Sequence, residues 1–458
     1  MSLFRNFSLL LFVLVLMSAA SARECVDLPL LISHISGWKA GNIAMPALSQ
    51  KISEWKSGAA CPQAACGNNI LEGSEICDGT DLNMQTCATQ GFAGGTLGCD
   101  ANCLSFNKSL CTTASEKTFY IAGAVSGSDS YTGECGTKDP ASNCGPWATI
   151  GKAGAEIAAG RISAGDNVLL KKGEIFTAHV YFDAFAGTKQ KPISFGAYGT
   201  GSRPEIRETG IADDAIFYLR DMPAGSGIVL RDIYFHRTSQ SETAITSHYS
   251  GGIRQPNISI INCEVEGGSD ALQIQDSCAS LLVEGAKIHG ALNTGLLAGC
   301  SNATVKNSEF YSNGYQSIYL DGTAAQDILI ENNNIHDSIT CFAAHGAKTG
   351  LTVRNNSIHN CNFGAGIYPA YGPKGAPEKF ENVAIENNTF YNMQKISLSY
   401  DSWELKIGSC ANCIVRNNIF RDNASAGLFV VDGNADDAPN NGILIYNNTF
   451  YNNSVPAE

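Results

Sequence analysis

Two residues with complementary acid–base chemistry, Asp321 and His345, occupy matching places in neighbouring segments of this sequence. Each directly follows a short run with the alternation of a β-strand. If the runs lie side by side as adjacent strands, about 4.8 Å apart, the two side chains can share a hydrogen bond. A histidine beside a carboxylate can act as a general base, with Tyr319 or Tyr368 as general acid and Lys348 as a second base.

A structural interpretation of the same residues stays open. An aspartate and a histidine on a surface are more often a solvated contact than a catalytic dyad. Three other histidines, His289, His336 and His359, each follow an isoleucine at one shared position of a repeated phrase. Their spacing predicts stacked structural residues at turns rather than catalytic groups.

Strand alternation also predicts which neighbouring side chains face outward. Gln273 and Gln275 fall on the outer face, as do three aromatic residues, Tyr319, Tyr368 and Phe429. A sugar ring has an apolar face, so an exposed aromatic line would suit an extended glycan. The alternative is that these rings cover loops packed above them. The positions predicted to face inward are Leu272, Ile274, Ile318, Leu320, Leu398, Leu428 and Val430.

These strands belong to an internal repeat that runs through the second half of the chain. An eight-residue phrase, ILIYNNTF at 443–450, recurs at 328–335, 351–358, 383–390 and 413–420, with weaker copies at 258–265, 281–288 and 303–310. The steps between copies, measured at the first asparagine of the phrase, are 23, 22, 25, 23, 32, 30 and 30 residues. The marker positions are Asn262, Gly285, Asn307, Asn332, Asn355, Asn387, Asn417 and Asn447.

Each repeat predicts three short strands. Apolar residues alternate before the asparagine, which permits a left-handed bend, and a second strand follows. A third strand comes about ten residues later, as at 295–298, 317–320, 366–368 and 427–430. Such coils bury their apolar faces only by stacking, and stacked asparagine amides are expected to bond along the stack. A leucine-rich repeat would need helices, and a propeller would need longer blades.

From residue 117 to the C-terminus the pattern resembles the right-handed parallel β-helix of the pectin-lyase-like superfamily. The fold class expected is all-β: a solenoid of three strands per coil, with a small disulfide-rich module and a short helical N-terminal segment. Residues 149–162 have helical spacing and could cap the open end of the solenoid. The resemblance implies a polysaccharide lyase or glycosidase, in which Lys348 could also neutralise a uronate carboxylate.

The sequence departs from the catalytic patterns of two members of that superfamily. It lacks the full aspartate set and the Arg-Ile-Lys element of polygalacturonases, and the acidic cluster with arginine of pectate lyases. A bound Ca²⁺, as in pectate-lyase relatives, could bridge an acidic chain and an acidic glycan. The sequence does not show which residues would bind such an ion.

The long steps of the repeat indicate insertions at 369–382, 401–412 and 432–441. All three follow the third strand of a coil, so they are expected to project from one edge of a groove. Trp403 and Lys374 are the predicted ligand contacts on these loops. Lys379, Asp436 and Asp437 are further candidates.

The chain has 458 residues, 17 cysteines and a net charge of −13. Residues 1–22 have the basic start, apolar run and small-residue end of a signal peptide, and no later stretch predicts a transmembrane segment. Disulfides persist in the exported protein that this predicts, extracellular or at a cell surface. Cys135 with Cys144, Cys278 with Cys300, and Cys341 with Cys361 are spaced to lie together, whereas the CxxC at 410–413 allows zinc as an alternative. The negative charge disfavours nucleic acid.

Two short segments precede the β-helix, giving predicted domains 23–62, 63–113 and 114–458. Residues 23–62 repeat a Leu/Ile/Trp pattern typical of short helices that end at glycine. Residues 66–79 (CGNNILEGSEICDG) resemble the opening of the myxobacterial-type cysteine-rich repeat, which implies an extracellular spacer or recognition module. Glu75, Asp78 and Asp81 there could bind calcium, although solvated turn carboxylates are the better expectation.

Two functions therefore remain in view. One is a secreted protein that cleaves or modifies a polysaccharide; the other is a non-catalytic adhesin or glycan-binding solenoid on a cell surface. The sequence stops soon after its last phrase, so a partner or a missing segment is expected to cover the final coil.

Overall fold

The protein is described from a computed structural model. The described residues are 35, 38, 44–56, 66–71, 75–90, 92, 94–112, 115–182, 185, 187–208, 215–219, 222–240, 242–247, 256–275, 278–321, 325–367, 379–394, 403–424, 426–431 and 439–453. They form two compact units, Met1–Ser115 and Glu116–Glu458, and each is treated by itself. The predicted signal peptide at 1–22 lies outside the described residues.

The first unit contains the predicted helical segment and the cysteine-rich module. A helix spans Met45–Lys56, and its buried Leu48 and Ile52 pack with Ile35 and Trp38. In the module, Gly94–Gly95 pairs antiparallel with Cys111–Thr112, and Gly98–Cys99 with Phe106–Asn107. Three disulfides, Cys66–Cys103, Cys77–Cys99 and Cys87–Cys111, hold this short segment, which is too small to bury a core of its own.

The second unit is the predicted parallel β-helix, built of three sheets along its length. The first sheet contains Thr118–Ile121, Asn167–Lys171, Ile193–Tyr198, Gly227–Arg231, Asn257–Ile261, Ser280–Glu284, Ala303–Lys306, Ala325–Glu331, Lys348–Arg354, Phe380–Glu381, Ala384–Glu386, Cys410–Arg416 and Asn441–Tyr446. The second contains Ile175–Thr177, Glu205–Arg207, Tyr234–Arg237, Glu264–Gly267, Lys287–His289, Glu309–Tyr311, Asn334–His336, Ser357–His359, Thr389–Tyr391, Ile419–Arg421 and Thr449–Tyr451. The third contains Val180–Tyr181, Phe217–Tyr218, Ile245–Thr246, Asp270–Ile274, Thr294–Ala298, Gln316–Leu320, Thr340–Ala344, Phe363–Ile367, Trp403–Gly408 and Ala426–Val431.

Alternation along the strands produces one continuous apolar core inside the coils. Like residues stack on like residues along the axis, as in Phe390 over Phe420, with ring centroids 4.9 Å apart. The helix Ile150–Ala158 begins at Thr149, whose side chain accepts a hydrogen bond from the Lys152 backbone, and it buries three apolar residues in the same core. The predicted helix is therefore confirmed.

The first asparagine of each phrase makes the predicted bend. All seven marker asparagines have φ between 50° and 58°, and Gly285, which replaces asparagine once, has φ 62°. Asparagine tolerates this left-handed region better than most residues, because its short side chain can hydrogen-bond locally. The prediction that these positions bend the chain is confirmed.

The buried asparagine ladder, however, is formed by the second asparagine of the phrase. In Asn356, the side-chain amide donates to Asn388 Oδ1 at 2.9 Å and to the Ile330 carbonyl at 2.9 Å. Its Oδ1 accepts from the backbone and side-chain nitrogens of Asn333 at 2.9 and 3.0 Å. Every hydrogen-bonding position of this amide is thus occupied between coils. The ladder consists of Asn333, Asn356, Asn388, Asn418 and Asn448.

A second stack runs along the outer side of the second sheet. The rings of Tyr311, His336, His359 and Tyr391 lie nearly parallel, with neighbouring centroids 5.4, 4.7 and 4.5 Å apart. His289 stacks on Tyr311 at the other end of the same row. The prediction that His289, His336 and His359 are stacked is confirmed, although they end strands rather than forming turns.

Cysteines reinforce the coils. Cys135–Cys144, Cys278–Cys300 and Cys341–Cys361 are disulfides, as their spacing predicted. Cys410 pairs with Cys413, so the zinc alternative for this CxxC is wrong. Among the described cysteines, Cys263 is free, and burial raises the pKa of its thiol to about 12. The disulfides fit an extracellular protein.

The last coil is exposed on its outer end. Leu444, Phe450 and Tyr451 are at least half exposed, and Val430, which has the register of an inward residue, is also exposed. The prediction that Val430 faces inward agrees with this register, and the residue is exposed because no described coil covers it. Leu398 lies outside the described residues. Among the residues that the structure describes, no helix is both long and apolar enough to cross a membrane.

We expect Asn388→Ala to lower the free energy of unfolding by about 3 kcal/mol or more, since each buried polar group left unsatisfied costs about 1–3 kcal/mol. The substitution removes the acceptor of two Asn356 donors and a donor to the Val353 carbonyl. Urea-induced unfolding measures the change. The control is the neighbouring Asn387→Gly, which suits the φ of 58° and should change stability by less than about 1 kcal/mol. Equal losses in both variants would contradict the ladder.

Candidate functional site

The third sheet presents a row of outward residues, one from each coil, which we call the outer column. Parallel pairing aligns its members directly, whereas the flanking residues Ile318 and Leu320 point into the core. In chain order, the outer column is Tyr181, Tyr218, Thr246, Gln273, Leu297, Tyr319, Ala343, Gly366, Lys406 and Phe429.

Asp321 and His345 lie beside the outer column, each at the end of its strand. The Asp321 backbone donates to the Ala298 carbonyl at 2.8 Å, and the His345 backbone donates to the Leu320 carbonyl at 2.9 Å. These matching bonds confirm that the two residues occupy equivalent positions on adjacent coils. Both side chains are half-buried.

The spacing suggested a hydrogen bond between Asp321 and His345, but each of these side chains bonds to a different residue. The Gln275 amide donates to Asp321 Oδ2 at 3.1 Å, although the two residues are separated by a whole coil. Gly299, whose backbone donates to the Ile274 carbonyl, lies between them and has no side chain to block the contact. His345 Nδ1 lies 3.0 Å from the Tyr319 hydroxyl, and the two share a hydrogen bond.

Asp321 instead acts on His345 through its charge. Desolvation lowers the pKa of His345 to about 4, the Asp321 carboxylate opposes that shift, and the charges of Lys348 and Lys406 add to it. His345 is therefore neutral at pH 7, with its ring edge-on to Tyr319 at a centroid distance of 5.1 Å. A neutral imidazole has one nitrogen able to accept a proton, as a base requires.

Lys348 is not at the surface. It begins a strand of the first sheet, is 1 % exposed, and its ammonium donates to the His345 carbonyl. A glycan on the outer face could not contact this ammonium directly, so burial argues against Lys348 as a base or a uronate partner. Its position supports the backbone that carries His345.

Two predicted binding residues, Gln273 and Gln275, form a polar network that runs from Asp321 toward earlier coils. The Gln273 amide donates to Gln275 Oε1 at 3.2 Å, and Gln273 Oε1 accepts from the Thr246 hydroxyl at 3.2 Å. Through Gln275 the network reaches Asp321. Thr246 was missed in the sequence, because a lone threonine in a strand gives no functional signal.

Trp403 lies in a strand and not in an insertion. Residues Trp403–Gly408 form the third-sheet strand of their coil, so the prediction of a loop over 401–412 is wrong. Trp403 is buried against Phe363, with ring centroids 4.9 Å apart. The Lys406 ammonium lies over the Trp403 ring, 5.9 Å from its centroid, and Lys406 joins the outer column. Sequence reasoning missed Lys406, although Leu405 and Ile407 flank it with strand alternation.

The predicted aromatic line is not continuous. Tyr319 and Phe429 share the outer column, but Ala343, Gly366 and Lys406 separate them. Tyr368 and Lys374 lie outside the described residues, as do Asp436 and Asp437. Lys379 pairs with Glu381. In the described part of the β-helix no group of three metal-ligating side chains converges, so a Ca²⁺ on this unit stays a prediction.

Comparison with known proteins supports the architecture. The family model described as a right handed beta helix region matches residues 243–392 and 296–457. No curated protein matches the sequence significantly. The family model and the stacked parallel sheets agree that the second unit is a right-handed parallel β-helix.

Several solved structures have a similar course at low sequence identity. The A-module of the mannuronan C-5 epimerase AlgE6 from Azotobacter vinelandii is 14% identical, with a TM-score of 0.44, over 67% of this chain and 95% of its own. A glycoside hydrolase is 9% identical, with a TM-score of 0.48, over 73% and 96%. A lacto-N-biosidase of family GH136 from Eubacterium ramulus is 12% identical, with a TM-score of 0.40, over 73% and 68%.

The low pKa of His345 predicts a pH dependence of stability. The unfolded chain binds a proton near pH 6.5, whereas the folded chain does not until about pH 4. The unfolded state therefore binds more protons in this window, and stability falls as pH falls through it. We expect His345→Gln to lose less stability than the parent protein between pH 6.5 and 4, measured by urea unfolding at several pH values. Equal losses in the two proteins would contradict the buried, neutral state of His345.

Proposed function

We propose that the protein acts on an acidic polysaccharide laid along the outer face of the third sheet, breaking the chain by β-elimination. The observation that carries the proposal is the Tyr319–His345 hydrogen bond beside Asp321, within a half-buried polar network on an otherwise regular sheet. A titratable group whose pKa is shifted by burial and nearby charges, as His345 is, is typical of active sites.

The geometry suits two proton transfers, one from the substrate to a base and one from an acid to the departing oxygen. In the tautomer with a proton on Nδ1, His345 donates to the Tyr319 oxygen, and Nε2 is the ring nitrogen that can accept a proton. His345 Nε2 is buried here, so substrate binding has to turn the ring and expose it. Nε2 then takes the proton beside the uronate carboxyl, a double bond forms, and the glycosidic C–O bond breaks. Tyr319 gives its hydroxyl proton to the departing oxygen. Asp321 stabilises the imidazolium that results, since its charge favours the protonated ring.

Hydrolysis by the usual two-carboxylate route fits less well. That route needs two carboxyl groups roughly 5–9.5 Å apart, one on each side of the bond that breaks. On the outer column and at the described C-terminal strand ends beside it, Asp321 is the one carboxylate, and it is held by Gln275. The other carboxylates of described third-sheet strands, Asp270 and Glu404, are buried. The site as described therefore favours proton abstraction.

Lys406 supports an acidic substrate. It lies on the outer column, three coils from Tyr319, and its charge reaches His345. Coils about 4.8 Å apart put the two residues roughly 14 Å apart along the axis, a distance that an extended sugar chain can bridge. A local cation can hold a uronate carboxylate despite the net charge of −13.

A second function, glycan binding without catalysis, is favoured by one observation. A histidine with a pKa of about 4 is a weak base at neutral pH, since efficient general bases titrate near the operating pH. A bound uronate near His345 would raise its pKa, as Asp321 already does, and this makes the enzyme proposal workable. Product formation separates the two functions.

The decisive experiment incubates the purified protein with uronic and neutral polysaccharides. We expect ultraviolet absorbance of unsaturated uronate to appear with an acidic glycan. His345→Gln and Tyr319→Phe should each lower the rate by about 10²–10⁴-fold, the usual contribution of a general acid or base. The matched control is His359→Gln, which changes a histidine of the second sheet and should keep the parent rate.

Binding without any product, with either reducing ends or unsaturated uronate as the readout, would establish the non-catalytic function instead. Activity that survives in His345→Gln would reject the assigned roles while leaving lyase activity standing.

A separate prediction concerns specificity. We expect Lys406→Gln to weaken the affinity for an acidic oligosaccharide by about tenfold, as loss of one charge-assisted contact implies. Affinity for a neutral oligosaccharide should stay the same, and the affinity lost should shrink at high salt. Isothermal titration calorimetry measures both. Lys287→Gln on the second sheet is the control, and an equal loss there would show a general charge effect.

A further inference from the structure

The disulfide module contains a buried carboxylate, Asp78, which the reaction proposed for the β-helix does not use. Asp78 is 0 % exposed, although it lies in a turn between cysteine-containing segments. Its Oδ1 accepts hydrogen bonds from the backbone nitrogens of Gly67 and Asn69, the latter at 3.2 Å. The expectation that Asp78 is a solvated turn carboxylate is wrong, whereas Asp81 is exposed as expected.

The second oxygen of Asp78 has no hydrogen-bond partner among the residues that the structure describes. Asp78 Oδ2 is fully buried, and no hydrogen bond reaches it. Removing an ionised carboxylate from water without a partner costs several kcal/mol, by order of magnitude. A native fold keeps such a group only if a cation or a proton neutralises it.

The module has few cations of its own to supply. Residues 63–113 contain five carboxylates, at positions 72, 75, 78, 81 and 100, and one basic residue, Lys108, for a net charge of −4. No salt bridge to Asp78 occurs among the described residues. An external cation would neutralise both the buried oxygen and part of this charge.

A second carboxylate converges on the same point. Carboxylate oxygens of Glu75 and Asp78 and the sulfur of Cys103 all lie within 4.8 Å of one another. The sulfur belongs to the Cys66–Cys103 disulfide, so it is no thiolate ligand for a soft metal. Two carboxylates around one point suit a hard cation that prefers oxygen.

We propose that Asp78 and Glu75 bind a Ca²⁺ ion inside the disulfide module. Asp78 Oδ2 and Glu75 supply the anionic ligands, and backbone carbonyls and water complete the six to eight oxygens that Ca²⁺ takes. The ion joins the turn that contains Asp78 to the Cys66–Cys103 crosslink, so it stabilises a segment that has no core. The site is independent of the proposed lyase activity, which uses residues of the β-helix alone.

Calorimetry on the full chain tests this site. Protein treated with chelator is titrated with CaCl₂, and we expect saturable binding that includes one ion per chain at the module. Asp78→Asn keeps an acceptor for Gly67 and Asn69 but replaces Oδ2, so it should lose that ion or bind it at least tenfold more weakly. The matched control is Asp81→Asn, which changes an exposed carboxylate three residues away and should bind like the parent protein.

A second variant, Glu75→Gln, decides the matter if Asp78→Asn does not fold, since it leaves the Asp78 hydrogen bonds in place. It too should weaken binding at least tenfold. No binding of CaCl₂ by the parent protein, or unchanged binding in the folded variants, would overturn the proposal. Lyase activity and glycan binding are measured separately, so failure of one proposal does not affect the other.

Discussion

The structure depends on hydrogen bonding that runs along the axis from coil to coil. A parallel β-helix fixes the distance between coils through its sheets, but the corners between sheets need a constraint of their own. From Asn333 to Asn448 the second asparagine of the phrase supplies it, since the buried amide of an inner member such as Asn356 bonds to the coil before it and the coil after it. A coil out of register would leave several buried polar groups unsatisfied, which is costly. The ladder therefore fixes which residues of neighbouring coils face each other.

That register creates the candidate site. Tyr319, Asp321 and His345 come from two coils, and Gln275 joins them from a third. None of these contacts is local in sequence; each depends on coils being stacked without a shift. The same register that buries Ile318 and Leu320 turns Tyr319 outward, so packing and chemistry share one cause. The half-buried setting then lowers the pKa of His345, which a solvated histidine on an open strand would not experience.

Much of the fold follows from the sequence, because the solenoid repeats a local pattern. The bend at the first asparagine, the pairing of Cys278 with Cys300, and the equivalence of Asp321 and His345 could all be predicted from spacing. The hydrogen-bond partners of the site side chains could not be predicted, because they depend on the direction and length of each side chain. Gln275 reaches Asp321 only because Gly299 leaves room between them.

Trp403 and Lys348 were placed wrongly from the sequence for another reason, which is the path of the chain between sheets. The coil containing Trp403 has 30 residues, more than the 22 to 25 of the coils between Asn262 and Asn355, so two strand-like runs, around Leu398 and at 403–408, could each fill its place in the third sheet. The run at 403–408 occupies it, which buries Trp403 and turns Lys406 outward. Lys348 was expected near a ligand because it follows His345 closely, but three residues suffice to turn the chain into the first sheet. The number of residues between His345 and Lys348 does not by itself show that the chain passes from one sheet to another between them.

The most direct test of the account is the structure of the protein with an acidic oligosaccharide bound. We predict that the sugar chain lies along the outer column of the third sheet, with one unit within hydrogen-bond distance of both Tyr319 and His345 and a carboxylate near Lys406. A sugar chain bound to the stacked rings of the second sheet, with the Tyr319–His345 pair untouched, would contradict it.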